Sequence, residues 1–191
     1  MKRTIPELLE SFVGGDQTAF TALVQEYHRK VYSVAFRLLG NHLDADEVVQ
    51  ETFVRVYKRQ KEIAHVSNFA SFVVRIATNY AIDLLRKRKG HASIADNHDL
   101  LPGAVQLELS KRVRTPGDLY EDRALMKEIT LALDMLPPRQ KLTAILHDVE
   151  GYTKPEIAFI LNCPEATVRS NLHIARTKLR KLLTRRLNAK E

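Results

Sequence analysis

Hydrophobic positions recur at spacings of three and four through most of the chain, and no stretch alternates with the period of two that a half-buried strand requires. The first repeat runs from Thr4 to Val13, with Pro6 suited to an opening turn and Gly14-Gly15 to a stop. Asp16 reads as the cap of a longer helix to Leu39, whose inner stripe is Phe20, Leu23, Val24, Tyr27, Val31, Val34, Ala35 and Leu38. Gly40-Asn41 ends it. A third helix is predicted from about Asp44 to Arg59, with Ala45, Val49, Phe53, Val56 and Tyr57 on one side. A fourth follows Ser67-Asn68 and runs from about Phe69 to Lys89, burying Phe69, Val73, Ile76, Ala77, Tyr80 and Leu84 and ending at Gly90.

Residues 91–118 break this pattern. Asp, Asn and His mix with Pro102 and Gly103, and Thr115-Pro116-Gly117 adds a second break, so the segment reads as a flexible linker in which Val105 to Leu109 could form a short helix or dock on a domain. Helical spacing then resumes from Leu119 to Leu136, stops at Pro137-Pro138, and continues to just before Gly151 with Leu142, Ile145, Leu146 and Val149 inward. Thr153-Lys154-Pro155-Glu156 has capping-box form and opens a short helix to Leu161, with Ile157, Ala158 and Leu161 inward. Asn162-Cys163-Pro164 makes a tight turn into a last helix, in which Val168, Leu172, Ala175, Leu179 and Leu182 form one apolar stripe. The expected architecture is all-α: a helical domain over 1–90, a linker over 91–118, and a second domain over 119–191 with a helix-turn-helix at about 153–176.

The 191 residues, 45% of them hydrophobic, suffice for real cores. A formal charge of +7 favours a polyanionic partner, nucleic acid or an anionic membrane surface. The apolar stretches around Val31 to Leu39 and Phe69 to Ile82 are interrupted by Arg37, Arg75 and Asn79 before they reach the roughly 20 residues a membrane span needs. A single cysteine, Cys163, excludes an internal disulfide framework, and the start lacks a secretory pattern, so a cytoplasmic location is expected. The seven histidines show no metal-ligand spacing, and no cofactor motif appears. No nucleophile and base converge in the pattern, which argues against an enzyme.

Three polar faces remain. On the last helix Arg169, His173, Arg176 and Arg180 share a side, with Ser170 and Asn171 near its start, which suits a helix laid in a major groove. Arg169, Ser170, Asn171 and His173 are the candidates for base edges, and Arg176, Lys178, Arg180, Lys181, Arg185 and Arg186 for phosphates or solubility. On the third helix Asp46, Glu47, Gln50 and Glu51 turn away from the apolar stripe, as a solvated face or a docking surface for a basic partner; Asp44 and Glu47 could also stabilise the helix start. On the fourth, Arg75, Asn79 and Arg86 form a second face that ends in Arg86-Lys87-Arg88-Lys89, a combination suited to a DNA strand held by backbone charge and stacking.

Taken in order, GGDQTAFTALVQEYHRKVY, DADEVVQETFVRVY, NFASFVVRIATNYAIDLLRKRK and LPPRQKLTAILHDVEGYTKPEIAFILNCPEATVRSNLHIARTKLRKLL resemble the blocks of the bacterial extracytoplasmic-function sigma factors, a branch of the sigma-70 family. The resemblance implies a non-enzymatic subunit that joins core RNA polymerase, recognises promoters and helps to open them. It implies that Asp44, Asp46, Glu47, Val48, Gln50, Glu51 and Phe53 contribute to the surface that meets the clamp helices of the polymerase's large subunit. Arg75, Asn79, Tyr80, Asp83, Arg86, Lys87 and Arg88 would then lie near the downstream (−10) element, and Thr167, Arg169, Ser170, Asn171, His173, Ile174, Arg176, Lys178 and Arg180 near the upstream (−35) element. It further implies a cognate anti-sigma partner, soluble or membrane-bound.

The chain departs from the family pattern in places. Phe72 and Tyr57 stand where Trp is usual, and the recognition block ATVRSNLHIAR replaces GTVxSRxxRAR, so that Ala166 stands for Gly, Asn171 for Arg and Ile174 for Arg. Two cations fewer predict a salt dependence shallower by about one unit per lost phosphate contact. Asn171 could instead make a bidentate contact to adenine, and Ile174 could pack on a thymine methyl or on a protein partner. The competing readings are an operator-binding regulator, which would need only the second domain plus a ligand or dimer module, and an inhibitor-binding or scaffold protein without promoter function, which the Asn171 and Ile174 departures would favour.

Overall fold

The computed structural model describes residues 3–63, 66–91 and 126–188, and every regular element among them is a helix. The first bundle contains α1 (Ile5–Val13), α2 (Gln17–Leu39), α3 (His42–Lys58), the single turn α4 (Gln60–Ile63) and α5 (Phe69–His91). The second contains α6 (126–134), α7 (Pro138–Ala144), a wider helical turn at Ile145–Val149, α8 (Lys154–Leu161) and α9 (Glu165–Asn188). The linker from residue 92 onward, its 105–109 segment and the first residues of the helix expected from Leu119 lie outside the described residues. Among the described residues, no helix is long and apolar enough to cross a membrane, and no cluster of His, Cys, Asp and Glu could hold a metal ion.

Local chemistry explains the helix ends. The Asp16 carboxylate accepts the Thr18 N–H at 2.8 Å and caps α2, and Gly40, at φ +80°, closes it with its N–H on the Phe36 carbonyl at 2.8 Å. α3 begins two residues before the predicted start because Asn41 is the cap, its Oδ1 taking the Asp44 N–H at 2.8 Å. α5 runs through Gly90 to His91. An interior glycine costs about 1 kcal/mol relative to alanine, which weakens a helix without ending it. Val149, expected inside, is 41% exposed. Between Ile145 and Val149 the chain adopts the wider turn, with the Glu150 N–H on the Ile145 carbonyl at 3.0 Å, and this rotates Val149 off the inner stripe.

In the first bundle α2 is central, with α1, α3 and α5 packed around Leu23, Val31, Val34, Val48, Val56 and Val73. In the second, Leu142, Leu146, Ile157, Ile160 and Val168 make the core, and a smaller cluster of Leu136, Ala144 and Ala175 joins α7 to α9. The two bundles touch: α8 packs along α5, and the hydrophobic cluster of the first continues through Tyr152, Ile157 and Ile160.

The helix-turn-helix is set by its caps. The Thr153 N–H donates to Glu156 Oε2 at 2.9 Å, and the Glu156 N–H returns to Thr153 Oγ1 at 3.4 Å. Asn162 then takes the left-handed conformation, φ 48°, that ends α8. Hydrogen bonds from the Thr153 hydroxyl and N–H hold the Glu156 carboxyl below its ordinary value. A depressed carboxyl contributes stability that is present above its unfolded pKa and lost as pH falls through the folded one. Thr153→Ala should cost about 1 kcal/mol at neutral pH, seen as a lower urea midpoint at unchanged slope. That difference should narrow in acid, as Glu156 protonates.

Candidate nucleic-acid interface

The acidic face of α3 is only partly open. Asp46, Glu47 and Gln50 are exposed and Glu51 is half-buried, its carboxylate paired with Arg55 at 2.7 Å. Asp44 is 8% exposed, and its carboxylate is held by the Asn41 side chain at 2.7 Å and by Arg88 of α5. Val48 is fully buried, so it presents no side-chain surface on this face of α3. Beside the acidic residues runs an apolar groove between α2 and α3, walled by Phe20, Val24, Val49, Phe53, Val54 and Tyr57, with Asp46 and Gln50 at its edge. Stacking of Phe12 on Phe20 at 5.0 Å and of Phe20 on Tyr57 at 5.2 Å stiffens one wall. Sequence reasoning missed Val54. Its signal was an apolar residue off the buried stripe, and it is 41% exposed.

The structure divides the candidates on α5. Arg75 and Asn79, with Phe72, line a cleft of about 780 Å³ whose other walls include Arg59, Glu62, Ser67 and Asn68. Tyr80 sits one residue beyond Asn79, about 100° further round the helix, and so faces α3 instead. Its hydroxyl donates to Glu47 Oε1 at 2.5 Å, and Arg55 lies over its ring at 4.9 Å. The Glu47 carboxylate, followed by desolvation, pushes the phenol up to about 12. Asp83 pairs with Arg86 at 3.5 Å, and Arg86, Lys87 and Arg88 are exposed along the end of the helix. α3 and α5 are thus cross-braced through Glu47–Tyr80, Arg55–Tyr80 and Asp44–Arg88.

On α9 the apolar stripe holds: Val168, Leu172 and Ala175 are buried and Leu179 is half-buried. Thr167, Arg169, Ser170, His173, Ile174, Arg176, Lys178 and Arg180 are exposed, and Asn171 is half-buried. Arg169 makes only a local pair with Glu165 at 3.1 Å. Arg176 is tied to the wider turn, its Nε donating to Asp148 Oδ2 at 3.2 Å, and Lys178 reaches Gln140 at 3.1 Å. Partial burial pushes the Asp148 carboxyl up, but hydrogen bonds from Arg176 and His147 outweigh it and leave the group below its ordinary value. Cys163 packs, half-buried, against the core beside the turn.

The protein is all-helical, carries a helix-turn-helix with a cationic outer face, and has in its first bundle an apolar groove edged by Asp46 and a polar cleft in which Arg59 and Arg75 stand among Glu62 and Glu156. Residues 23–91 match the model for Sigma-70 region 2, and residues 126–179 match the model for Sigma-70, region 4. The chain is 30% identical over 187 residues to the ECF RNA polymerase sigma factor SigW of Bacillus subtilis, covering 96% of this chain and 98% of that one. It is 33% identical over 176 residues to the ECF sigma factor SigE of Mycolicibacterium smegmatis, covering 90% of this chain and 65% of that longer one. Its fold matches the sigma factor RpoE of Bartonella quintana, solved in complex with the anti-sigma factor NepR, with a TM-score of 0.66 and 22% identity over 86% of this chain and 96% of that one. The chain belongs to the ECF sigma factors of the sigma-70 family.

Proposed function

We propose that the protein directs core RNA polymerase to its promoters through three separate surfaces. The groove between α2 and α3, with Asp46 and Gln50 at its edge and Glu47 and Glu51 on the neighbouring face of α3, takes the clamp helices of the large subunit: apolar walls supply contact area, and the acids of α3 steer a basic partner. The cleft at Phe72, Arg75 and Asn79 receives a base of the non-template strand as it leaves the stack at the −10 element, and Arg86, Lys87 and Arg88 follow its backbone. Arg169, Ser170 and Asn171, near the start of α9, meet base edges of the −35 duplex, while His173, Lys178 and Arg180 serve orientation and phosphate contact. The observation that carries this reading is the placement, on neighbouring helices of one bundle, of an apolar groove edged by Asp46 and a cleft that holds Phe72, Arg75 and Asn79.

No catalytic side chain is needed. A subunit that binds the melted strand more tightly than duplex shifts the equilibrium toward opening by that difference in affinity. The protein acts in the cytoplasm with the polymerase, and an anti-sigma protein, soluble or membrane-anchored, holds it in reserve.

The test is open-complex formation with purified core polymerase on a promoter library, read jointly by permanganate reactivity of thymines and by run-off transcripts. Opening should require the chain; Asn79→Ala should weaken melting, and Arg169→Ala should relax upstream sequence preference at a cost of about 1–3 kcal/mol. Specific duplex binding by the chain alone, with neither core binding nor opening, would establish the operator-binding regulator instead.

A further inference from the structure

Arg169, His173, Arg176 and Arg180 fall within an arc of about 60° on the outer face of α9, at 100° per residue. Arg169 pairs only with Glu165 of its own helix. Arg176, about two turns further on, is held from a different element. Its Nε donates to Asp148 Oδ2 at 3.2 Å and its Nη2 to Asp148 Oδ1 at 2.5 Å. His147 Nδ1 lies 3.0 Å from Asp148 Oδ1, so the carboxylate is braced from a second direction. Both residues belong to the widened turn at Ile145–Val149, which holds one residue more than an α-helical turn and so re-aims its side chains.

The pair is open to solvent, with the Arg176 side chain 51% and that of Asp148 34% exposed. A half-exposed ion pair contributes little to stability, so its main effect is on direction. Two parallel N–H···O bonds fix the plane of a guanidinium as well as its position. They engage the Nε–Nη2 edge here, and Nη1 lies on the opposite side of the group, outside the pair. A guanidinium held by one edge still presents its remaining N–H groups to an oxyanion. It also arrives with its rotamer already chosen, whereas a free arginine must give up that freedom on binding.

We propose that Asp148 is a positioning residue for DNA binding: it holds Arg176 so that the Nη1 edge meets a phosphate of the −35 duplex. The inference rests on assigning α9 to that duplex. Two effects of Asp148 have opposite signs. Its negative charge repels a polyanion, so charge alone makes its loss tighten binding. Positioning makes its loss weaken binding, because immobilising a long side chain costs a factor of about three to ten that the brace removes from the binding step. The sign of the change therefore decides between them.

Holoenzyme reconstituted from core polymerase and the full chain, titrated onto a fluorescein-labelled duplex, gives the test; the duplex carries an upstream element that wild-type holoenzyme selects from a random library. Asp148→Asn, which keeps the shape and drops the charge, should weaken binding about fivefold at unchanged salt slope, and Asp148→Glu should recover most of the loss. Arg176→Ala should weaken binding and lower the slope by about one unit, and in that background Asp148→Asn should change nothing further. Nitrogen-15 NMR of the free chain reads the brace without DNA: the Arg176 Nε–H should be protected from solvent exchange in the wild type and lose that protection in Asp148→Asn, at unchanged circular dichroism. Equal or tighter binding by Asp148→Asn, or the same loss with and without Arg176, overturns this proposal alone. A wild type that selects no upstream sequence overturns the −35 assignment and the proposal with it.

Discussion

Ile157→Ala should lower the unfolding free energy by about 2–5 kcal/mol, the range for truncating a fully buried aliphatic side chain. Ile157 has no exposed surface and lies in the first helix of the helix-turn-helix, in the cluster that also holds Leu142, Leu146, Ile160 and Val168. The loss combines the transfer free energy of the missing carbons with the cavity left behind, because short helices held by caps and a tight turn have little room to collapse. Ile157→Val should cost only about 0.5–1.5 kcal/mol. Urea unfolding monitored by circular dichroism gives both values; equal costs would mean that the site relaxes around the truncation. Upstream-element binding by the Ala variant should fall along with the folded fraction, whereas Arg169→Ala should impair it in a fully folded protein.

Asp46→Arg should weaken association with core polymerase about a hundredfold, equivalent to about 2.7 kcal/mol, while leaving the helix content unchanged. Asp46 is exposed and stands at the edge of the apolar groove, so reversing its sign replaces attraction by repulsion toward a basic partner without disturbing the core. Glu51 and Glu47 are less clean probes. Reversing Glu51 breaks its pair with Arg55, and reversing Glu47 removes the acceptor of the Tyr80 hydroxyl, so either change perturbs the bundle as well as the surface. Fluorescence anisotropy of labelled protein titrated with core, repeated across salt concentrations, gives the affinity and its electrostatic share. An unchanged affinity for Asp46→Arg would remove the acidic rim from the docking surface.

Most helices and their caps were legible because both signals are local. Apolar spacing of three and four set α2, α3, α5 and α9, and Asp16, Gly40, Thr153 and Asn162 marked ends through groups within a few residues of one another. Two helix ends departed for local reasons, the Asn41 cap of α3 and the passage of α5 through Gly90; elsewhere a distant partner or a change of helical pitch decided the outcome. Val149 follows the spacing of its neighbours but lies past a widened turn. Tyr80 falls on the inner stripe of α5, and only the approach of α3 shows that its hydroxyl reaches Glu47. Asp44 reads as one more surface acid until Arg88 reaches it from the far end of α5. Arg37 reads only as a break in an apolar run, since its partner Glu150 lies 113 positions away and periodicity carries no trace of such a pairing.

The hydrophobic cluster that passes from Val34 and Val73 into Tyr152 and Ile157 also bears on how the chain melts. When two lobes share one core, neither loses its packing without exposing part of the other, and the pair behaves as a single cooperative unit. Once the lobes are parted, each must stand on its own smaller core, and small cores bury a smaller share of their surface. Any partner that parted the lobes would therefore exchange a joint stability for contacts of its own. A chain of this build is at its most robust with its lobes together.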